Sequence, residues 1–394
     1  MTLTSKTFGE LVTFARASTG TRFNSSGVMV SEAVDAPRFD HDPGASNAAR
    51  GLLIEGQRTN LILRSNDLSN ASWAKLNATA AQTATDLFGN ANSASTFTVS
   101  SAGGTGQSRI SQAVTISGTN AVICAVLKAV TAQYVQLSTS GMTTNPIGRF
   151  DLGAGTVMSG SDSSARIMSL GSGRYCCWLL VPVGADPIGN MQINAITAAG
   201  GTSVIFDGGS FEVLATSVES GNFPTSYIPT VASQVTRSKD EAIVSGTAFS
   251  DWFNASEGTF YVEFTMLPGA RPDRRILSIN DGTDNERMTV TENGSAQLVV
   301  TVRDGGVDQA SMTAHTITDY AAVHKLAFAF KANDFAVSVN GAAAVTDSSG
   351  TVPTVDRMHI ASDSSGANQG QCHIRKIRFY PTRKTNAELA GLTA

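Results

Sequence analysis

The sequence predicts an all-β protein: two antiparallel β-sandwiches in tandem, preceded by a short N-terminal arm. Three observations predict it. The chain is only 15% charged and holds 37 glycines in 394 residues, a mix that disfavours long amphipathic helices. Apolar and polar residues alternate over short runs bounded by turn residues, the period of a half-buried strand. Charge density then divides the chain, because residues 61–232 carry 15 charged side chains and residues 233–394 carry 33. The expected organisation is an arm at 1–60, a first sandwich at 61–232 and a second at 233–394.

In the arm, Phe23 and Val28 flank Asn24-Ser25-Ser26-Gly27, a cluster that accepts unusual backbone angles and closes a hairpin. An extended Arg38-Phe39-Asp40 piece and a strand at Leu52–Ile54 follow. The arm is too short to own a core, so Leu52, Leu53 and Ile54 are expected to pack on the first sandwich. There, strands are predicted at Ala94–Val99, Gln112–Ile116, Val122–Leu127, Tyr134–Ser138, Ile147–Asp151, Tyr175–Val183, Met191–Ile196 and Val204–Leu214. The seam is marked by Asn222–Thr230, where Pro224 and Pro229 exclude helix and central strand alike. Beyond it, Phe260, Val262, Phe264 and Met266 share one face of a strand. Leu326, Phe328 and Phe330 repeat the pattern, and Phe335, Val337 and Val339 run into the Asn340-Gly341 hairpin turn. In the final strand Cys372 and Ile374 have one parity while Ile377 and Phe379 have the other, which predicts a bulge near Arg375-Lys376. Thr385 and Glu388 are spaced as a capping box for a short helix.

The residues RASTGTRFNSSGV (16–28) and GLLIEGQRTNL (51–61) resemble the N-terminal signature of a family of phage virion proteins: tail fibres, tail spikes and head-attached fibres or decorations. The first sandwich resembles jelly-roll carbohydrate-binding modules in the segments at 148–156 and 206–213. The second resembles concanavalin-A-like lectin and laminin-G-like sandwiches over roughly 243–392, where FAVSVNG, a polar loop, HIRKIRFYP and a short helical turn follow in order. These resemblances imply a virion protein, assembled in a bacterial host cytoplasm and joined to other virion proteins through its arm. They imply a homo-oligomer, a trimer before other orders, that meets host surface polysaccharide. The alternatives are a purely structural capsid or tail decoration protein and, more weakly, a polysaccharide-degrading tail protein.

Composition excludes other classes. A net charge of −4 and a pI near 5.8 provide no basic stripe for nucleic acid. No apolar run approaches the roughly 18 residues a membrane span needs. The start, MTLTSKTFGE, lacks the basic and apolar regions of a secretory signal, so the chain is expected to be made and kept in a cytosol. Cys124, Cys176, Cys177 and Cys372 form no CxxC or zinc spacing, so they are expected as buried, reduced thiols. Cys176 and Cys177 should face opposite sides of one strand.

Catalysis on a glycan needs two carboxylates across a cleft, roughly 5–10 Å apart. The densest acidic group, Asp281, Asp284 and Glu286, falls in a turn where Asp and Gly serve the backbone, and Glu263 alone lies inside a strand, on its polar face. No enzyme is expected. No cofactor is expected either, although calcium has candidates in Asp281 and Asp284 and in the Asp-Ser-Ser-Gly loops at Asp347 and Asp363. For glycan contact the candidates are Trp252 and Trp73, whose rings could stack on a sugar face, with Asp363, Asn368 and Gln369 reading hydroxyls. Trp178, in an apolar strand, is expected in the core. The contact surface is expected on second-sandwich loops 280–286, 347–353 and 363–369, distal to the arm.

Overall fold

The computed structural model of the protein describes residues 6–100, 106–185, 187–198, 208–267 and 273–394. It is all-β, with antiparallel strands stacked as two sandwiches. The first sandwich pairs two six-stranded sheets. One centres on Tyr134–Ser140 and Ile188–Ala195, the other on Asn120–Ala129 between Arg174–Pro182 and Ser210–Ser220. Seven of the eight predicted first-sandwich strands are present within about four residues of their expected bounds; the strand expected at Val204–Leu214, of which residues 204–207 lie outside the described residues, runs instead over Ser210–Ser220. Alternation puts Phe97, Leu127, Phe150, Leu179 and Phe211 into the core between the sheets. Burying each stabilises by roughly 1.5–3 kcal/mol. Cys177 joins that core while Cys176 faces the other side. Trp178 is buried too, but in a small outer-face cluster with Val122 and Cys124 rather than in the main core.

The second sandwich pairs two seven-stranded sheets, and the arm supplies strands to both. Thr13–Ala15 forms an edge against Glu241–Ser245. On the other sheet Ala48–Ile54 pairs with the final strand, Cys372–Tyr380, through Leu52↔Ile374, Leu53↔His373 and Ile54↔Cys372, and Arg38–Asp42 extends that edge. The expectation that the arm triplet packs on the first sandwich is therefore corrected. Leu52 and Ile54 belong to the second-sandwich core. Strand alternation turns Leu53 the other way, onto a small cavity of about 140 Å³ shared with Leu87, Val126 and Leu170 of the first sandwich. Backbone pairing with a strand late in the sequence outcompetes side-chain packing on the nearer domain, because an unpaired strand edge leaves its amides unsatisfied.

Local expectations are met in detail. The arm hairpin joins Gly20–Phe23 to Met29–Glu32, with Gly27 at φ +71°. Asn340 and Gly341 both take positive φ. Thr385 and Glu388 cap the helix Asn386–Thr393 reciprocally. The final strand carries its bulge at Arg375, since Phe264 faces Ile374 while the adjacent Glu263 faces Lys376. Ile374 and Ile377 thereby reach the same core. Gly51 lies against this bulge at φ +102°, where a Cβ would strike the Ile374 carbonyl oxygen. A glycine is required there.

The two connections between the sandwiches run side by side, Arg58–Asn60 pairing with Val235–Arg237. At this junction lies a buried cluster of ions. Arg38, fully buried, donates from Nη1 to Glu55 Oε2 (2.8 Å), Ser226 Oγ (2.7 Å) and the Thr21 carbonyl (3.1 Å), and from Nη2 to Asp240. Arg16 reaches the second oxygen of Asp240 at 3.2 Å, and Arg237 lies 3.3 Å from Glu55. The Glu55 amide also donates to Asp240 (2.8 Å). Burial alone would raise the Glu55 pKa, but Arg237, Arg38 and the Ser226 donors hold it far below the usual range. Gly20 leaves room for the two arginines, since a Cβ there would lie 3.0 Å from the Arg16 guanidinium and 3.1 Å from Arg38 Cδ.

Removing one partner of such a cluster strands buried charge, so Arg38→Ala is expected to lower unfolding free energy by about 3–5 kcal/mol. Denaturant titration of the full chain checks this. Beside the cluster, Glu219 behaves oppositely to Glu55. Burial pushes its pKa up to about 7, against the Thr225 donors and Arg58, and its Oε1 has no hydrogen-bond partner among the described residues. A folded pKa above the unfolded one favours folding fully below pH ~4.5 and loses that stabilisation as pH rises through 7. Wild-type stability is therefore expected to fall by about 2–3 kcal/mol from this group between pH 5 and 8. In Glu219→Gln that slope should disappear from melts recorded across the same range.

Candidate functional site

Four loops of the second sandwich converge at one end of it. The turn at 281–286 links Arg274–Asn280 to Arg287–Glu292. Its Asp281 Oδ1 accepts from the Thr283 amide (2.8 Å) and hydroxyl (2.7 Å), a local turn that fixes the loop. Glu286 fastens its neighbours, accepting from the Gly305 amide at 2.6 Å and the Thr354 amide at 3.3 Å. Ser364 donates to Asp284 Oδ1 at 3.0 Å and brings in the fourth loop. Arg357 pairs with Asp356 at 2.7 Å, and its guanidinium lies over Gly282, where a Cβ would come within 3.2 Å of it. The hydrogen bond from Arg357, outweighing slight burial, holds the Asp356 carboxyl below its usual range.

The rim so formed presents ionised and amide groups to solvent. The Asp284 and Asp356 side chains are 62% and 63% exposed, Asn285 is exposed, and Arg357 is bonded to Asp356. Acceptors and donors held in fixed loops can hydrogen-bond sugar hydroxyls with little ordering cost.

The sequence candidates fare unequally. Asp363 is buried and turned inward. Its Oδ1 accepts from the Ser365 amide (3.0 Å), the Ser365 hydroxyl (2.7 Å) and the Ala367 amide (2.8 Å), while Oδ2 takes the Asn368 side chain (2.8 Å). Burial raises its pKa, but these donors more than reverse the effect. Gln369 donates to the Gly366 carbonyl at 2.6 Å, which also accepts from Lys239 at 2.7 Å. This trio staples its own loop. The loop does not project away from the arm, because Gln369 and Gln371 lie against Gly56 of the arm. Trp73 is 1% exposed in the first core, its Nε1 donating to the Arg64 carbonyl, so it has no ring face to offer a sugar. Trp252 is half-buried among Phe249, Phe260 and Phe379, with centroids 4.9–6.3 Å away, and donates to the Ala248 carbonyl.

For calcium, Asp284 is paired with Arg287 at 3.3 Å and Asp281 is spent on its turn. Among the described residues no group of three or more His, Cys, Asp or Glu is placed to hold a metal. Glu263 accepts from the Tyr261 hydroxyl (2.6 Å) and Lys376 (3.1 Å), and it is not alone in a strand as the sequence suggested, since Glu241, Glu257 and Glu292 also lie in strands of this sandwich. The sequence reading missed the role of Glu286 as the tie between loops, and of Asp356 and Arg357. Glu286 acts on partners 19 and 68 positions away, a separation no local pattern announces.

No family model matches the sequence, and no curated protein matches it. Among solved structures the chain is similar to the CBM40 of the Ruminococcus gnavus IT-sialidase bound to α2,3-sialyllactose, at 11% identity and a TM-score of 0.30, covering 36% of this chain and 84% of that one. It is similar to the native heptameric SAP-like pentraxin of Limulus polyphemus (11%, TM-score 0.29, 36% and 70%). It is also similar to domains LG4–5 of the mouse laminin α1 chain (11%, TM-score 0.25, 73% and 91%). Likenesses this distant carry nothing about function.

Because Asp363 holds its loop from within, Asp363→Ala should speed hydrogen exchange at the Ser365 and Ala367 amides by tenfold or more, roughly the loss of one or two charge-assisted hydrogen bonds. Exchange in the distant first sandwich should stay unchanged.

Proposed function

We propose that this is a non-enzymatic structural protein of a phage or phage-like particle, of fibre or spike type, that binds host surface polysaccharide through the polar rim of its second sandwich. The observation that carries the binding reading is the convergence of four loops around exposed Asp284, Asn285, Asp356 and Arg357. The resemblance of residues 16–28 and 51–61 to phage virion proteins supports the particle and its assembly in a bacterial cytoplasm. The helix Phe8–Leu11 and the exposed turn at Val34 are among the parts of the arm open to other virion proteins. The low charge of the first sandwich suits a self-interface, and a trimer would multiply a weak site into useful avidity.

The test is binding of the purified full chain to an array of bacterial capsular and O-chain polysaccharides. The triple change Asp284→Ala, Asn285→Ala, Asp356→Ala is expected to weaken the bound members by about tenfold or more, with three hydrogen-bonding groups lost at about 1 kcal/mol each before compensation. The melting temperature should hold, because all three are exposed, and polymer length should not fall during incubation. Undiminished binding in the triple variant overturns the rim as the contact surface, and shortened polymer overturns the non-enzymatic reading.

A further inference from the structure

The second sandwich has an opening whose chemistry differs from that of the rim. The final strand pairs with the arm strand only at Cys372, His373 and Ile374. From the Arg375 bulge onward the two diverge, and the Arg375–Tyr380 edge has no strand beside it on that side among the described residues. The sheets part here, leaving a groove of about 760 Å³, within the roughly 300–1,000 Å³ range of small-molecule sites. Its floor is the sandwich core itself, with Leu52, Val244, Phe260, Met358 and Ile360 each under 5% exposed. Phe39, 44% exposed, stands at its mouth with its ring edge against Phe8 at 5.2 Å.

Among the described residues no Ser, Thr, Asn, Gln, Tyr or His lines this groove, and the polar side chains there besides the spent Trp252 indole are Lys6, Asp251, Arg375, Lys376 and Arg378. A sugar placed inside would leave its hydroxyls without partners, which costs more than stacking returns. A hydrocarbon chain has no such need. Among the five charged groups, Lys6 and Asp251 lie 3.6 Å apart and Lys376 is held at 3.1 Å by Glu263. Arg378 alternates with Ile377 and Phe379 toward the outer face. That leaves Arg375, exposed, offset by the bulge, and without a hydrogen-bond or ion-pair partner for its guanidinium among the described residues.

We propose that the groove takes the hydrocarbon chain of a single anionic amphiphile, a long-chain acyl carboxylate, with its carboxylate at Arg375. The apolar floor supplies affinity in proportion to chain length, and the guanidinium sets which end faces out.

The experiment displaces a fluorescent anionic naphthalene probe from the full-length protein with octanoate, decanoate, dodecanoate and tetradecanoate. Affinity should rise by about fourfold per added methylene until the groove is filled. Dodecanol should bind several-fold more weakly than dodecanoate, and Arg375→Gln should abolish that difference while leaving dodecanol unchanged. Phe39→Asp, an exposed change that leaves the core intact, should remove binding of every member. A flat response to chain length, or equal affinity for acid and alcohol in the wild type, overturns the proposal. So does self-association in light scattering that Phe39→Asp abolishes, since the groove is then covered by a second copy. Binding to anionic vesicles without uptake of the free carboxylates also overturns it.

Discussion

The fork of Arg38 onto Glu55 and Asp240 holds the molecule in its one arrangement. It joins the arm, the end of the arm strand and the entry to the second sandwich, and Ser226 adds the linker returning from the first. Taking a guanidinium fully out of water is expensive, and only a complete set of acceptors offsets the cost. Here Glu55 meets two guanidiniums and Asp240 three, and backbone amides add to the carboxylates' shell, while Arg38 Nε and Arg237 Nε stay without a hydrogen-bond partner among the described residues. An apolar contact of the same area would tolerate a shifted register. Shifting this one would leave charge unpaired in a dry site, so the cluster specifies position as much as it stabilises.

That cluster also explains the make-up of residues 16–28 and 51–61. Arg16, Gly20 and Thr21 come from the first segment, Glu55 and Gly56 from the second, and all are occupied in the junction or in the packing beside it. Gly51 is fixed by the neighbouring bulge. These two segments thus build an architecture, an arm woven into a later sandwich, with these residues occupied within it. A pattern that looks like a recognition motif in one dimension is a folding instruction in three.

Much of the fold was legible because its signals are local. Period-two alternation located the first-sandwich strands, parity alone located the bulge at Arg375, and turn chemistry located both hairpins. The four-stranded stretch from Arg274 to Thr316 was less visible. Buried Arg274, paired at 2.8 Å with Glu292, puts charge where the pattern expects an apolar residue. The destination of the arm was not legible at all, since three adjacent apolar residues announce burial without saying against what. The site followed the same rule. The loop compositions were readable, but whether an Asp in such a loop faces solvent, as Asp284 does, or its own backbone, as Asp363 does, depends on neighbours that the sequence places far away.

The arm and its partner strand impose an order on how the chain can fold. Asp40 bonds His373 at 2.9 Å across 333 positions of sequence, so during translation the arm leaves the ribosome long before the strand it must pair with exists. The intervening first sandwich has a core of its own and can close within that interval, while Ala48–Ile54 waits with one edge open. Loop closure over such a span grows only logarithmically in cost, but its search is slow. This arrangement predicts a nascent chain in which a finished jelly roll carries a loose, pairing-competent strand at one side, with the second sandwich closing over it last.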